Sequence, residues 1–314
     1  MYRKWPIKKA FVCLMTLTLL SSGLIAQDSM RVTHILGLEG VANNTNGNLS
    51  IQGDVLRFQK EQGPAAEISI GSIQEIFLGE QDRQVGGTPM ALGRAAAPFG
   101  GGRVVALFSH KKYDTLTLEY RDSNGSLHGA ILQVNKGQGQ ALKDRLGSDG
   151  AHITAASAAV GRDSSAGAQW SVQVDPVSAG DVNLDPAFRV AIYENLLVEL
   201  DKTKQFKQVF RSGDRRANET PGVLILKTTV ENFTPGSETK RAITTVAGAT
   251  KLKVRSQLCT PDGKVPLEKV VDGNVRFFGG NLRATHNLAQ HVAATIKRST
   301  LPEPATAVRV AGSL

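Results

Sequence analysis

The sequence predicts two domains, one mainly β and one α+β. Three observations carry this. Residues 38–134 break into short runs separated by turn residues, a long helical stripe begins at Phe188, and alternating runs then lead to a second helical stripe near Leu288. The chain has 314 residues of which 41% are apolar, enough to bury two cores.

The chain opens on a leader. MYRKWPIKK is a basic n-region, AFVCLMTLTLLSSGLIA is apolar, and Ala26 supplies a small residue for cleavage, so residues 1–26 read as a signal peptide. Leu24 is a poor residue at the minus-three place, which leaves the cut open by a few positions. An uncleaved anchor is the alternative, because an apolar run of about 17 residues sits at the short limit for spanning. Cys13 lies at the front of the apolar core without the residues that precede a lipidated cysteine, so lipid anchoring is rejected. Without Cys13, Cys259 stands alone and no intramolecular disulfide can form; it reads as a small buried hydrophobe, with an intermolecular bridge as the alternative.

The formal net charge is +9. Arg3, Lys4, Lys8 and Lys9 belong to the leader, leaving about +5 on the mature chain, a mildly basic balance that favours anionic surfaces without requiring nucleic acid. The densest remaining basic run, Arg211 to Arg216, is expected to be a solvated loop.

The first domain is placed at 38–147. Its seven candidate strands are Asn48–Gln52, Asp54–Gln59, Glu67–Ile70, Gln74–Leu78, Arg103–Ser109, Asp114–Arg121 and Leu127–Val134. Leu116, Leu118 and Tyr120 alternate with Thr115, Thr117 and Glu119, and Ser123-Asn124-Gly125 is a good hairpin turn. Gln138–Leu146 follows as a helix with Leu142 and Leu146 inward. Between the fourth and fifth runs, QVGGTPMALGRAAAPFGGGR looks like a phosphate loop but lacks Gly-Lys-[Ser/Thr], and Arg94 and Arg103 are wrongly spaced. It reads as an insertion whose Met90, Leu92 and Phe99 are free to fold over the barrel or touch a partner. Lys136-Gly137-Gln138-Gly139 lacks a third glycine and reads as the start of the helix.

Seven antiparallel strands closed by one helix resemble the pleckstrin-homology-like barrel, and "GNLSIQGDVLRFQ…AAEISIGSIQEIFLG" is similar to its bacterial members. The resemblance implies that the helix plugs one barrel end. It also implies lipid or peptide binding, but the basic loop of the lipid-binding members has no match in this sequence.

Residues 148–168 are rich in Ser, Ala and Gly and read as a flexible linker, and 300–314 as a disordered tail. The second domain, 169–299, starts with a strand at Trp170, Val172 and Val174. Its first helix carries Phe188, Ile192, Leu196 and Leu200 down one face, with Asp185 as cap and Pro186 in the first turn, and its charges Arg189, Glu194, Glu199 and Asp201 are expected mostly outward. Phe206–Phe210 is a short strand, Gly222–Phe233 and Ala249–Cys259 pair, Asp262-Gly263 turns, Val265–Phe278 returns, and Leu282–Ile296 is a second helix. Two helices over one antiparallel sheet is the expected layer. The helix ending at Leu200, "QFKQVF", Arg241 followed by Gly248, "LKVRSQLCTPDGK" and the helix with Leu288, Ala289 and Ile296 resemble a bacterial envelope family known as domain of unknown function 4410. A more distant similarity is to the small α/β modules of envelope-assembly proteins. The family brings no established catalytic residues, and the lipid anchor of many members has no counterpart in this leader.

Chemistry is sparse. Of His34, His110, His128, His152, His286 and His291, only the last two are close, and on a helix they lie about 140° apart, unsuited to one metal. Gly161-Arg162-Asp163-Ser164-Ser165-Ala166-Gly167 is no nucleophile elbow and falls in the linker. Glu67 and Glu75 read as solvated faces. Aromatics make up 5% and do not interleave with basic residues, which argues against single-strand nucleic-acid binding. Phe277 or Phe278 reads as core. The sequence therefore assigns no catalytic, cofactor-binding or metal residue. It points to an exported, periplasmic or secreted, non-enzymatic envelope protein that binds a protein or wall component, with no membrane insertion after cleavage. The alternative is a carrier of a small apolar ligand or lipid in the N-terminal barrel, and a hydrolase comes third.

Overall fold

The computed structural model describes residues 29–85, 109–148, 169–237, 248–275 and 280–302. The leader 1–26, Cys13, the glycine-rich stretch from Gly86 to Arg103, His152, the linker beyond Ser148, Arg241, and Phe277 and Phe278 lie outside the described residues.

Seven strands form the first sheet: β1 (Ser29–Leu36), β2 (Thr45–Gln52), β3 (Val55–Lys60), β4 (Ala65–Ser69), β5 (Ile73–Val85), β6 (Ser109–Arg121) and β7 (Leu127–Asn135). Their order is β4-β3-β2-β1-β7-β6-β5, and every neighbouring pair is antiparallel. Period-two alternation puts Val32, Leu49, Leu56, Phe58, Ile68, Leu116, Leu118 and Leu132 into one core. Helix α1 (Gln138–Ser148) adds Leu142 and Leu146 to that core, as its spacing predicts. The buried Asp114 on β6 holds the start of α1, accepting the Gly137 and Gly139 N–H groups at 2.7 and 3.0 Å.

The strand count is right and its membership is not. β1 begins before residue 38, where no strand is expected, because the polar His34 stands in the apolar row between Val32 and Leu36. Ser109 and Asp114–Arg121, expected in separate strands, belong to the single strand β6.

The second sheet has β8 (Ser171–Val174), β9 (Val209–Arg211), β10 (Val223–Thr234), β11 (Thr250–Cys259) and β12 (Leu267–Val275), in the order β12-β11-β10-β8-β9. It is mixed, which corrects the expected antiparallel sheet. β8 runs parallel to both β9 and β10, since the long helix between β8 and β9 carries the chain back to the same end. That helix, α2 (Pro186–Thr203), starts on Asp185, whose carboxylate accepts the Ala187 N–H at 2.8 Å, and stops at Lys204 in the left-handed region. A short helix, α3 (Arg215–Glu219), precedes β10, and α4 (Arg283–Arg298) closes the fold. Leu224, Leu226, Val230, Leu252, Val254 and Leu258 meet Phe188, Ile192, Leu196, Leu200, Leu288, Val292 and Ile296 in the second core, and Cys259 is a free buried thiol. α4 reaches the sheet because Gly273 has no side chain; a Cβ there would lie 2.4 Å from that of Leu288. The segment 300–314 is not loose from its start, because Leu301 packs on the second core and Trp170 Nε1 donates to the Pro302 carbonyl at 2.6 Å.

No helix among the described residues is long and apolar enough to cross a membrane.

Candidate functional site

Helix α2 is covered on two sides. The stripe from Phe188 to Leu200 faces the second sheet, while Ala187, Val190 and Ala191 pack on Leu36 and Ile131 from the first. Glu194 continues that second row at the i, i+3, i+4, i+7 spacing of a helix face, so it points inward and is only 6% exposed. Glu199 is buried too. Both findings correct the expectation that the charges of α2 face water, and the close approach depends on Gly129, whose absent Cβ would sit 2.4 Å from Val190 Cγ1.

A polar knot lies where α2, β7 and the end of β9 converge. Glu194 Oε1 accepts Arg211 Nη1 at 2.7 Å and the Gly129 N–H at 2.8 Å, and Glu194 Oε2 accepts Arg211 Nη2 at 2.9 Å. Arg211 Nη1 also donates to the Leu127 carbonyl at 3.1 Å. Tyr193 Oη donates to that carbonyl at 3.3 Å and accepts the Ser212 N–H at 2.9 Å. The Leu127 N–H donates to the Ser212 carbonyl at 2.8 Å, and the Arg215 N–H to that of Asn124 at 3.2 Å. Residues of both sheets thus satisfy one another across the junction. Arg211, expected in a solvated loop, is instead a forked partner of a buried carboxylate. Burial works against its charge, but Glu194 outweighs burial and holds the guanidinium more firmly protonated than a free one. Burial also pushes the Tyr193 and Tyr120 phenols up.

Beside the knot, the His128 ring stacks on Tyr120 with centroids 5.2 Å apart. His128 Nε2 lies 3.3 Å from Asp122 Oδ2, and Asp122 Oδ1 accepts the Asn124 and Ser126 N–H groups at 2.9 and 2.8 Å. Burial opposes the Asp122 charge, yet these bonds prevail and hold its carboxyl below the usual range. Burial, with Arg211 adding to it, holds His128 below an ordinary imidazole. Ser126 completes a Ser, His and Asp set in composition only. Ser126 Oγ and His128 Nδ1 are both buried without a hydrogen-bond partner, so they do not bond each other and no nucleophile is activated.

A cleft of about 270 Å³, counting its solvent-open part, adjoins the knot and is lined by Glu119, Leu127, Val177, Arg189, Val190 and Tyr193 among others. Arg189 is committed there to Glu119 at 3.0 Å and Glu75 at 3.5 Å, and lies 5.5 Å from the Phe77 ring centre. Glu67 pairs with Arg57 at 3.1 Å. His286 faces Glu199 at 3.6 Å, whereas His291 bonds the Asp272 carbonyl at 2.7 Å, so the two histidines have separate partners. Among the described residues no group of His, Cys, Asp and Glu is arranged to hold a metal ion.

The sequence reading brought none of these residues together. Gly129 and Glu194 are 65 positions apart. The one available signal was the second stripe on α2, Ala187, Val190 and Ala191, which ends in a carboxylate.

No protein-family model matches the chain, and no curated protein matches it. Solved structures similar to part of it include the PelC dodecamer from Paraburkholderia phytofirmans, at 11% identity over 42% of this chain and 90% of that one, with a TM-score of 0.33. A single-substitution form of the same protein gives 12% identity, 40% and 86% coverage and a TM-score of 0.31. The hypothetical protein CT253 from Chlamydia trachomatis gives 11% identity, 41% and 96% coverage and a TM-score of 0.29. At these scores the likenesses carry no argument about function.

Proposed function

We propose that the chain is an exported bacterial cell-envelope protein that works by binding a protein or wall partner and not by catalysis. The observation that carries this reading is the use made of the junction's charges. Glu194, Arg211, Arg189 and Glu119 are each committed to another group of the chain, as befits a frame that holds two modules in fixed relation. The basic, then apolar leader supports export. The antiparallel seven-stranded sheet, closed by α1 through Leu142 and Leu146, supports reading the first module as a pleckstrin-homology-like barrel. The second module is proposed as a relative of domain of unknown function 4410, on the residues that carry that resemblance. The lipid-carrier alternative has less support, because Leu116, Leu118, Leu132 and Phe58 fill the space between the strands. Affinity capture with the full mature chain, at native expression from envelope extract, is the test. A saturable partner is expected, and recovery of nothing above background would overturn the proposal.

A further inference from the structure

The chain between β1 and β2, residues 37–44, lies beside the start of β7, with Gly37 against Gly129 and Glu39 facing His128. β1 runs antiparallel to β7 with Leu36 opposite Ile131 and Thr33 opposite Gln133, so β1 finishes toward the start of β7, while α1 follows the end of β7. Leu38 from this segment is part of the first core and Val41 packs against it. The Asn44 N–H donates to the Ile35 carbonyl at 3.1 Å and closes the segment into a strap.

Two buried histidines face this strap. His34, with no exposed surface, accepts the Leu38 N–H on Nε2 at 3.0 Å, and its Nδ1 lies 3.2 Å from the Ala42 carbonyl. Nε2 must therefore be bare and Nδ1 must carry the proton. A second proton on Nε2 would set two donors against each other and place a charge where no water reaches. The facing groups are the Phe58 ring of β3, 5.9 Å away, the Leu36 backbone at the end of β1, and the strap's own backbone. His128, 2% exposed, behaves in the opposite way. With Nε2–H directed at Asp122, Nδ1 is bare and unpartnered, and it faces Glu39 Oε1 of the strap at 3.6 Å, beyond hydrogen-bond reach. Tyr120 from β6, Asp122 from the turn, and Arg211 and Glu194 from the second module complete its surroundings. A proton on Nδ1 would give it a charged acceptor.

We propose that residues 37–44 form an acid-responsive strap, pinned by neutral His34 through Leu38 and Ala42, and handed over to a His128–Glu39 ion pair when the imidazoles protonate. The exchange frees Leu38 from its anchor and loosens the strap over the first core, while Glu39 keeps the strap tethered. Burial holds both imidazoles below their ordinary range, so the change falls on the acid side of it.

The test is amide hydrogen exchange on the full mature chain between about pH 7.5 and pH 5, corrected for intrinsic rate. Protection of the Leu38 N–H should fall about tenfold along the titration of His34, read from its ring nitrogens by NMR, while Leu132 on β7 stays protected. His34→Gln, whose amide both donates and accepts without titrating, should abolish the response. Glu39→Gln should lower the titration midpoint of His128 and speed strap exchange further in acid. Leu38 protection that does not change while His34 titrates overturns the proposal, as does a fall shared equally by Leu132, which would mean global unfolding. A Glu39→Gln variant identical to the parent overturns the handover. If His34→Gln does not fold, the parent titration and Glu39→Gln decide the matter unaided.

Discussion

Replacing Glu194 by Ala is the sharpest probe of the junction. The carboxylate is 7% exposed and Arg211 is 20% exposed, so the pair exchanges little with water. Removing one member of such a pair costs about 3–5 kcal/mol, because the other is left charged in a poorly solvated place. Arg211 keeps its bond to the Leu127 carbonyl, which places the electrostatic loss near the low end of that range. The Gly129 N–H loses its acceptor as well, adding about 1 kcal/mol. The expected cost of Glu194→Ala is therefore about 4 kcal/mol, read from urea unfolding of the chain. Arg211→Met should cost about as much, since it strands the carboxylate. The double variant Glu194→Leu with Arg211→Met removes both charges and fills their volume, and should lie within about 1–2 kcal/mol of the parent. Single variants that cost less than about 1 kcal/mol, or a double variant that costs their sum, would refute the view that this pair is a desolvated, mutually dependent lock.

Three further outcomes follow from the packing and titration of the fold. Gly273→Ala sets a methyl 2.4 Å from Leu288 Cβ and 2.7 Å from the Ala284 carbonyl, so α4 must shift, at about 1–3 kcal/mol in the same unfolding assay. Asp114→Ala removes the acceptor for the Gly137 and Gly139 N–H groups and should cost about 1–2 kcal/mol, with the loss of protection concentrated in α1 by hydrogen exchange. Stability should fall as pH drops below the ordinary histidine value of 6.5, because His34 and His128 bind protons more weakly folded than unfolded. Their contribution is complete above 6.5 and lost as pH passes down through the folded values, and thermal melts across that range check it. Asp122, also depressed, extends the loss below the usual carboxylate range.

What the sequence showed depends on how local the signal is. The β10 and β11 pair was legible because Leu224, Leu226, Thr228 and Val230 alternate without interruption, as do Leu252, Val254, Ser256 and Leu258, and all but one bulge of their register follows from it. Helix α2 was legible at its start, through Asp185 and Pro186. β1 was hidden because His34 interrupts its apolar row, and the reason is visible only in three dimensions, where both ring nitrogens meet backbone groups of the strap. The parallel placement of β8 was hidden because strand direction depends on which neighbour a strand finds, and four residues of alternation do not encode that. The knot was hidden for a similar reason, since a glutamate on a helix reads as solvated until something is known to cover it.

The position of α2 also changes how the two modules relate. A helix with one apolar stripe needs one sheet, and two such modules on a linker would be free to reorient. α2 has two stripes, one of large side chains for its own sheet and one of small residues for the neighbour, and small residues let the helix backbone come close enough for Glu194 to reach the Gly129 N–H. The second module without the first would expose Ala187, Val190 and Ala191 and leave the Arg211 contact to Leu127 unmade. The first without the second would expose Ile131 and Leu36. Each module therefore completes the other's surface, which makes the relative placement of the two outer faces a fixed feature of the fold.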